Sequence, residues 1–236
     1  MQDHIVRAYS DELHGLDRKI AAMGGLAEYM LARSFDALQA RDPELAAAVI
    51  ERDREIDDLQ SELEEQVVQM IARRQPMAND LRQVMAAMRI ATDLERSGDL
   101  AKNIAKRASA IADQTPPMPL ILGMKRMSEL ALGQLKDVLD SYAERDANLA
   151  VEVWRSDEQI DAMYNSVFRE LLTYMMEDPR TIGMGTHLMF VAKNLERIGD
   201  HTTNIAETVH FLVLGEPLPN ERPKSDTTST TLIRHT

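Results

Sequence analysis

The sequence predicts an all-α protein in which six long helices form two tandem, repeat-related three-helix bundles. Three observations support this fold class. Helix-forming residues dominate the composition, and aromatic residues make up only 4% of the chain. Apolar residues recur at helical spacing from about Leu13 to Leu214 with few interruptions. Finally, motifs of the first half return in the second half.

The interruptions of the helical pattern separate the predicted helices in order along the chain. They lie at Asp42-Pro43, around Pro76, around Pro116-Pro117, near Asp146 and around Pro179. Proline stops or starts helices because it lacks an N–H donor, and aspartate is a favoured first cap. Most of the helices between these points are about 25 to 33 residues long, which corresponds to roughly 40 Å or more.

The repeat pairs helix 1 with 4, helix 2 with 5 and helix 3 with 6. The segment "ARDPELA" at 40–46 matches "ERDANLA" at 144–150, an offset of 104. A later motif returns at an offset of 101, so the second half lacks three residues, most simply in the loop after its second helix. Short loops within each half predict antiparallel neighbours. We therefore expect bundles at 1–115 and 119–215, followed by a disordered tail at 216–236 without periodicity.

Composition excludes several function classes. A formal net charge of −12 argues against unaided binding to nucleic acid or anionic lipid. The absence of cysteine excludes disulfides and thiolate zinc sites. The first residues do not form a signal peptide, and no apolar run approaches the roughly 20 residues of a membrane span. We expect a soluble, cytoplasmic protein.

Two similar segments place oxygen-bearing side chains four residues apart, on one edge of the apolar face of a helix. They are "DLERSGDLAKNIAK" at 93–106 and "NLERIGDHTTNIAE" at 194–207. An Asp-x-x-x-Asp pair on the preceding helix of each half flanks its core side in the same way. We expect these side chains to converge in each half. The candidate set is Asp53, Asp57, Glu95, Asp99 and Asn103 in the first half, and Asp157, Asp161, Glu196, Asp200 and Asn204 in the second half.

Clustered carboxylates need a positive charge, because two of them about 5 Å apart repel by roughly 3 kcal/mol at an effective dielectric constant near 20. Metal ions would supply that charge. The alternative is a salt-bridged surface, since Arg96 and Arg197 occur in both motifs. Oxygen ligands suit Mg²⁺, Mn²⁺, Ca²⁺ or clustered iron better than zinc. A redox di-iron bundle needs two Glu-x-x-His motifs, and only Glu207-x-x-His210 is present.

Other features of the sequence give weaker signals. His201 follows Asp200 but points away from the predicted stripe, so we expect an exposed histidine and not a ligand. No nucleophile and base occur at a spacing suited to covalent catalysis. The sequence therefore predicts that the protein is not an enzyme.

The duplicated Glu-x-x-x-Asp-x-x-x-Asn motif, the paired Asp-x-x-x-Asp segments and the N-terminal "LDRKIAAMGGLAE" together resemble the PhoU family of bacterial phosphate-signalling regulators. The resemblance covers about residues 3–215 and leaves out the tail. It implies a negative regulator of the phosphate-starvation response that links the ATPase subunit of the phosphate ABC transporter to the sensor histidine kinase of a two-component system. Contact with the inner membrane would be indirect, through these partners.

The resemblance also implies multinuclear iron or other metal ions, such as manganese, magnesium or zinc, on the carboxylate sets of both halves, and a homodimer. Asn103 and Asn204 match the third turn of the motif in each half. A second function class remains open from the residues alone. A metal-dependent enzyme or a metal-storage bundle would use the same carboxylates.

Overall fold

The computed structural model describes residues 2–218 and, among these, the side chains from Ser10 onward. Within residues 2–218, six α-helices follow one another, with one short 3₁₀ turn before the last. They are α1 (Gln2–Ala40), α2 (Pro43–Arg74), α3 (Asn79–Ala110), α4 (Met118–Glu144), α5 (Ala147–Glu177) and α6 (Ile182–Leu214), with the turn at Pro179–Thr181. The predicted all-α class and the number of helices are confirmed. Residues 219–236, most of the predicted tail, lie outside the described part.

Helix α1 begins at Gln2 and not near Leu13, where the apolar periodicity starts. The residues between contain neither proline nor glycine, so nothing in the backbone stops the helix from extending. Its first described contacts show why this end is anchored: the Arg74 guanidinium at the end of α2 donates to both carboxylate oxygens of Glu12, at 2.8 and 3.1 Å. The apolar periodicity alone therefore predicts too short a helix.

The loop between the first two helices has the same structure in both halves. Arg41 and Arg145 both adopt a left-handed conformation with φ of 56° and end the preceding helix. The next residue caps the following helix: Asp42 accepts from the N–H groups of residues 44 and 45, and Asp146 from those of residues 148 and 149. This shared chemistry explains why "RD" survives in both copies of the repeat.

Removing either cap is expected to lower the free energy of unfolding by about 1 kcal/mol, because two N–H groups lose their acceptor. The variants are Asp42→Ala and Asp146→Ala, measured by urea unfolding. Asp42→Ser and Asp146→Ser are the controls, since serine also caps and should retain most of the stability. Equal losses in the serine and alanine variants would contradict this role.

Each half is a three-helix bundle, and the two bundles share a contiguous hydrophobic core. They meet along two seams, one between α3 and α6 and one between α1 and α4. Helices α3 and α6 run antiparallel, since Asp93 contacts Asn204 while Arg107 lies over the Phe190 ring 4.5 Å from its centroid. Each seam joins corresponding helices of the repeat, so the halves are arranged like the subunits of a twofold dimer.

Within the part of the chain that the structure describes, no helix combines the length and apolar character required to span a bilayer.

Candidate functional site

In each half, one glycine allows the two helices that carry the acidic residues to approach each other closely. A Cβ atom on Gly98 of α3 would lie 3.1 Å from the Ile56 side chain of α2, and one on Gly199 of α6 would lie 2.8 Å from the Ile160 side chain of α5. Both glycines precede the aspartate of the Glu-x-x-x-Asp motif, and both isoleucines precede the second aspartate of Asp-x-x-x-Asp. The close approach places the acidic residues of the two helices side by side.

The structure assembles the four first-half carboxylates into one group, which we call the first-half cluster (Asp53, Asp57, Glu95 and Asp99). Asp57 lies at its exposed rim, where partial desolvation and the charge of Asp53 raise its pKa. Burial is also the main cause of the raised pKa of Glu95, with further contributions from Asp99, Asp57 and Asp53. Asp53 is only 7% exposed. The charges of these carboxylates act on one another, and the electrostatic cost is visible in the raised pKa values of Asp57 and Glu95.

The cation at this cluster is a lysine that the sequence analysis missed. Lys102 Nζ donates to Asp53 Oδ2 at 2.5 Å and to Asp99 Oδ1 at 2.6 Å, and so links α2 to α3. Burial opposes its charge, but the hydrogen bonds to Asp53 and Asp99, together with the negative charges of these two residues, outweigh this effect and raise the pKa of the ammonium group. The predicted partner Arg96 is more exposed and approaches Glu95 and Asp99 only to 3.5 Å. The available signal was the spacing of three residues from Asp99 to Lys102.

The second-half set is more deeply buried. Asp157, Asp161 and Glu196 are 2%, 4% and 6% exposed. Thr203 Oγ1 lies 3.2 Å from Asp157 Oδ1, and Lys193 Nζ donates to Glu196 Oε1 at 2.8 Å. A lysine thus contacts an acidic residue of the predicted set in each half, from different positions of the repeat.

The two asparagines of the predicted sets occupy different surroundings. Asn103 is exposed, one turn beyond Asp99. Asn204 donates through Nδ2 to Asp93 Oδ1 of α3 at 3.2 Å, and this contact crosses the seam between the bundles. The structure therefore directs the described contact of Asn204 to the other half and not to its own carboxylates.

The prediction that His201 is an exposed histidine is wrong. Its Nδ1 lies 2.8 Å from Asp93 Oδ1, and its side chain is 19% exposed. The reason is the packing of α3 against α6, which places this face of α6 against the other bundle. Asp93 therefore receives two polar partners from the second half.

The donor chemistry of the first-half cluster fits a hard cation. Four carboxylates lie together, and Asp53 Oδ1 is a buried acceptor with no hydrogen-bond donor among the described residues. The side chains nevertheless surround an ammonium group, and within residues 10–218 no three acidic or imidazole groups are placed to hold a metal ion as they stand. In this half, the side chains that could hold an ion are Asp53, Asp57, Glu95 and Asp99.

The raised pKa of Glu95 gives a testable pH dependence. A carboxyl group whose pKa is raised by folding contributes stability that is fully present below its unfolded pKa and is lost as pH rises through the folded value. We therefore expect Glu95→Gln to raise the Tm relative to wild type near pH 7 and to have a smaller effect near pH 4. Thermal melts in metal-free buffer at both pH values provide the measurement.

The control for this measurement is Glu51→Gln, which changes an exposed glutamate of α2 outside the cluster. It should show no comparable difference between the two pH values. A Glu95→Gln protein that is less stable than wild type at both pH values would show that the pairing with Arg96 outweighs the burial of the carboxylate.

Comparison with known proteins identifies the family. The model of the PhoU domain matches residues 20–108 and 124–209, one match in each bundle. The chain is 52% identical over 229 residues to "Phosphate-specific transport system accessory protein PhoU homolog" of Caulobacter vibrioides, covering 97% of this chain and 100% of the relative. It is 54% identical to the protein of the same name from Rhizobium meliloti, covering 96% of each.

Solved structures agree with the sequence relatives. The crystal structure of PhoU from Pseudomonas aeruginosa superposes with a TM-score of 0.85 at 36% identity, over 88% of this chain and 100% of that one. The phosphate transport system regulatory protein PhoU from Streptococcus pneumoniae gives a TM-score of 0.82 at 30% identity, over 90% of this chain and 100% of that one. In sequence, in repeat and in fold, this chain is a member of the PhoU family.

Proposed function

We propose that this protein is a non-enzymatic accessory component of a phosphate transport system and a negative regulator of the phosphate-starvation response. The observation that carries the proposal is the identity of 52% and 54%, over nearly the whole chain, to relatives named as phosphate-specific transport system accessory proteins. The name "accessory protein" favours an adaptor over the alternative of a metal-dependent enzyme or a metal-storage bundle.

The proposed partners are the ATPase subunit of the phosphate ABC transporter and the sensor histidine kinase of the phosphate two-component system. The protein would act in the cytoplasm and approach the inner membrane through these partners. We further propose a homodimer, which light scattering on the purified protein would test. A net charge of −12 supports protein partners over nucleic acid.

Deleting the gene tests the regulatory role. We expect phosphate-starvation genes to remain switched on when phosphate is abundant, and a plasmid copy of the wild-type gene to restore repression. A transcriptional reporter from a starvation promoter gives the measurement. Normal repression in the deletion strain would rule out the proposed role.

We also propose that the carboxylate sets of both bundles bind divalent or multinuclear metal ions, namely iron, manganese, magnesium or zinc. The support is the clustering of four carboxylates with raised pKa values at Asp57 and Glu95. A bound cation would offset the repulsion among these groups and fix α2 against α3. Asn103 and Asn204 are the proposed peripheral positions of the two sites.

Elemental analysis separates the metal sites from simple salt bridges. Protein purified without chelator should contain metal, and the combined change Asp99→Asn and Asp200→Asn should lower that content sharply, because each site loses an anionic ligand. Asp36→Asn, at an exposed aspartate of α1, is the control and should leave the metal content unchanged. Metal-free wild-type protein from cells grown with all four metals would contradict the metal sites without affecting the regulatory role.

A further inference from the structure

Lys102 holds the central cationic position of the first-half cluster. Its ammonium group contacts one carboxylate from each helix, Asp53 Oδ2 at 2.5 Å and Asp99 Oδ1 at 2.6 Å. The side chain is only 19% exposed. The guanidinium of Arg96 remains at 3.5 Å on an exposed side chain. The short contacts therefore make Lys102 the principal counter-charge of Asp53 and Asp99.

The repeat places a different residue type at the position of Lys102 in the second half. At the offset of 101, Lys102 corresponds to Thr203, and at the offset of 104, Asp53 corresponds to Asp157. Thr203 Oγ1 lies 3.2 Å from Asp157 Oδ1. The same pair of positions is thus in contact in both bundles, but the aspartate meets a cation in one and a neutral hydroxyl in the other, and this hydroxyl also lies 3.0 Å from the Gly199 carbonyl oxygen.

An ammonium group and a metal ion would compete for the same carboxylates. A divalent ion bound between Asp53 and Asp99 would occupy the space that the Lys102 ammonium group now fills, and the two positive charges would repel at this short distance. The lysine side chain is long and flexible, so its ammonium group can leave the cluster and enter water without a change in the helix backbone. Metal binding in the first half would then require displacement of this internal competitor.

We propose that Lys102 is a tethered cation that competes with divalent metal for Asp53 and Asp99, and so sets the metal affinity of the first-half cluster. This inference rests on the metal sites proposed above. In the first half, the chain itself supplies the charge that compensates the two aspartates, and the cluster takes up metal only at concentrations that displace the lysine.

The test uses the full chain with the second-half site weakened by Asp161→Asn and Asp200→Asn, so that calorimetric titration with Mn²⁺ reports on the first half. In this background, Lys102→Met removes the charge and keeps much of the side-chain length, and Lys102→Thr introduces the residue type of the second half. We expect both to bind Mn²⁺ at least about tenfold more tightly than the background protein. Lys102→Arg retains a cation and should stay within a few-fold of it.

The matched control is Lys106→Met, which removes an exposed lysine one turn further along α3. This variant loses the same unit of positive charge as Lys102→Met, and its affinity for Mn²⁺ should equal that of the background protein. A second readout is independent of affinity. Metal-free Lys102→Met protein should melt below the background protein, and Mn²⁺ should raise its Tm by more than it raises that of the background protein. If the variant does not fold without metal, Mn²⁺ should restore folding.

The outcomes distinguish this inference from the proposed metal sites. Equal Mn²⁺ affinity in the background protein and both uncharged variants would overturn the competition by Lys102 and leave the metal sites in place. A Lys106→Met effect as large as that of Lys102→Met would also overturn it, because net charge would then be the cause. No binding by any variant, or by protein with an intact second half, would overturn the metal sites and this inference together.

Discussion

Leu94→Ala is expected to lower the free energy of unfolding by about 2–5 kcal/mol, because it removes a fully buried side chain and leaves a cavity. Leu94 lies on α3, which packs against α1, α2 and α6 and so has little freedom to collapse around the missing atoms. For a chain of this size, the loss corresponds to roughly 5–15 °C in Tm. Urea unfolding at two wavelengths would measure it and check that the transition is cooperative.

The matched control is Leu81→Ala, which makes the same chemical change on the same helix at a side chain that is 38% exposed. Here the expected loss is smaller, about 1–2 kcal/mol, since more than a third of the Leu81 surface already faces water and less burial is lost. If both variants lost the same stability, α3 would not be the central packing element that the structure shows.

Asp17→Ala is expected to destabilise the seam between α1 and α4 more than the loss of an exposed carboxylate would. Asp17 Oδ1 accepts from the Tyr142 hydroxyl at 2.6 Å and from Arg145 at 2.9 Å. Burial and the contact with Asp17 raise the pKa of the Tyr142 hydroxyl. Alanine would leave a buried hydroxyl and a half-buried guanidinium without this acceptor, at a cost of about 1.5–3 kcal/mol measured by urea unfolding.

Two further variants define the origin of this loss. Tyr142→Phe removes only the hydroxyl and should cost about 1 kcal/mol. Asp36→Ala removes an exposed carboxylate that pairs with Arg33 at 3.0 Å within α1, and should cost less than about 1 kcal/mol. A loss at Asp17 no greater than that at Asp36 would mean that the seam does not depend on this ion pair.

Local signals were sufficient to predict most of the fold. Helix ends are set by short-range chemistry, so Asp42 and Asp146 could be recognised as starts from the residues around them. The pairing of α2 with α3 could be predicted in the same way. The loop between the two helices is short, and each helix carries carboxylates along one edge of its apolar face, so few ways of packing them remain. The early start of α1 was missed, since the residues before Leu13 form helix without a regular apolar stripe.

Contacts between the bundles could not be predicted in this way. The environment of His201 depends on the packing of α3 against α6, and nothing in the local spacing specifies which face of α6 meets the other half. The choice of Lys102 over Arg96 as the main cation has a similar cause. Both lie three residues from Asp99, but only Lys102 also reaches Asp53 on α2.

The twofold arrangement of the bundles within one chain has an evolutionary consequence. In a homodimer of a single bundle, each substitution would appear in both subunits at once. Here the two copies can diverge separately: Asp17 of the α1–α4 ion pair corresponds to Ile121, and Lys102 corresponds to Thr203. Gene duplication followed by fusion would thus preserve the shape of a symmetric dimer while it frees each bundle to acquire a separate role.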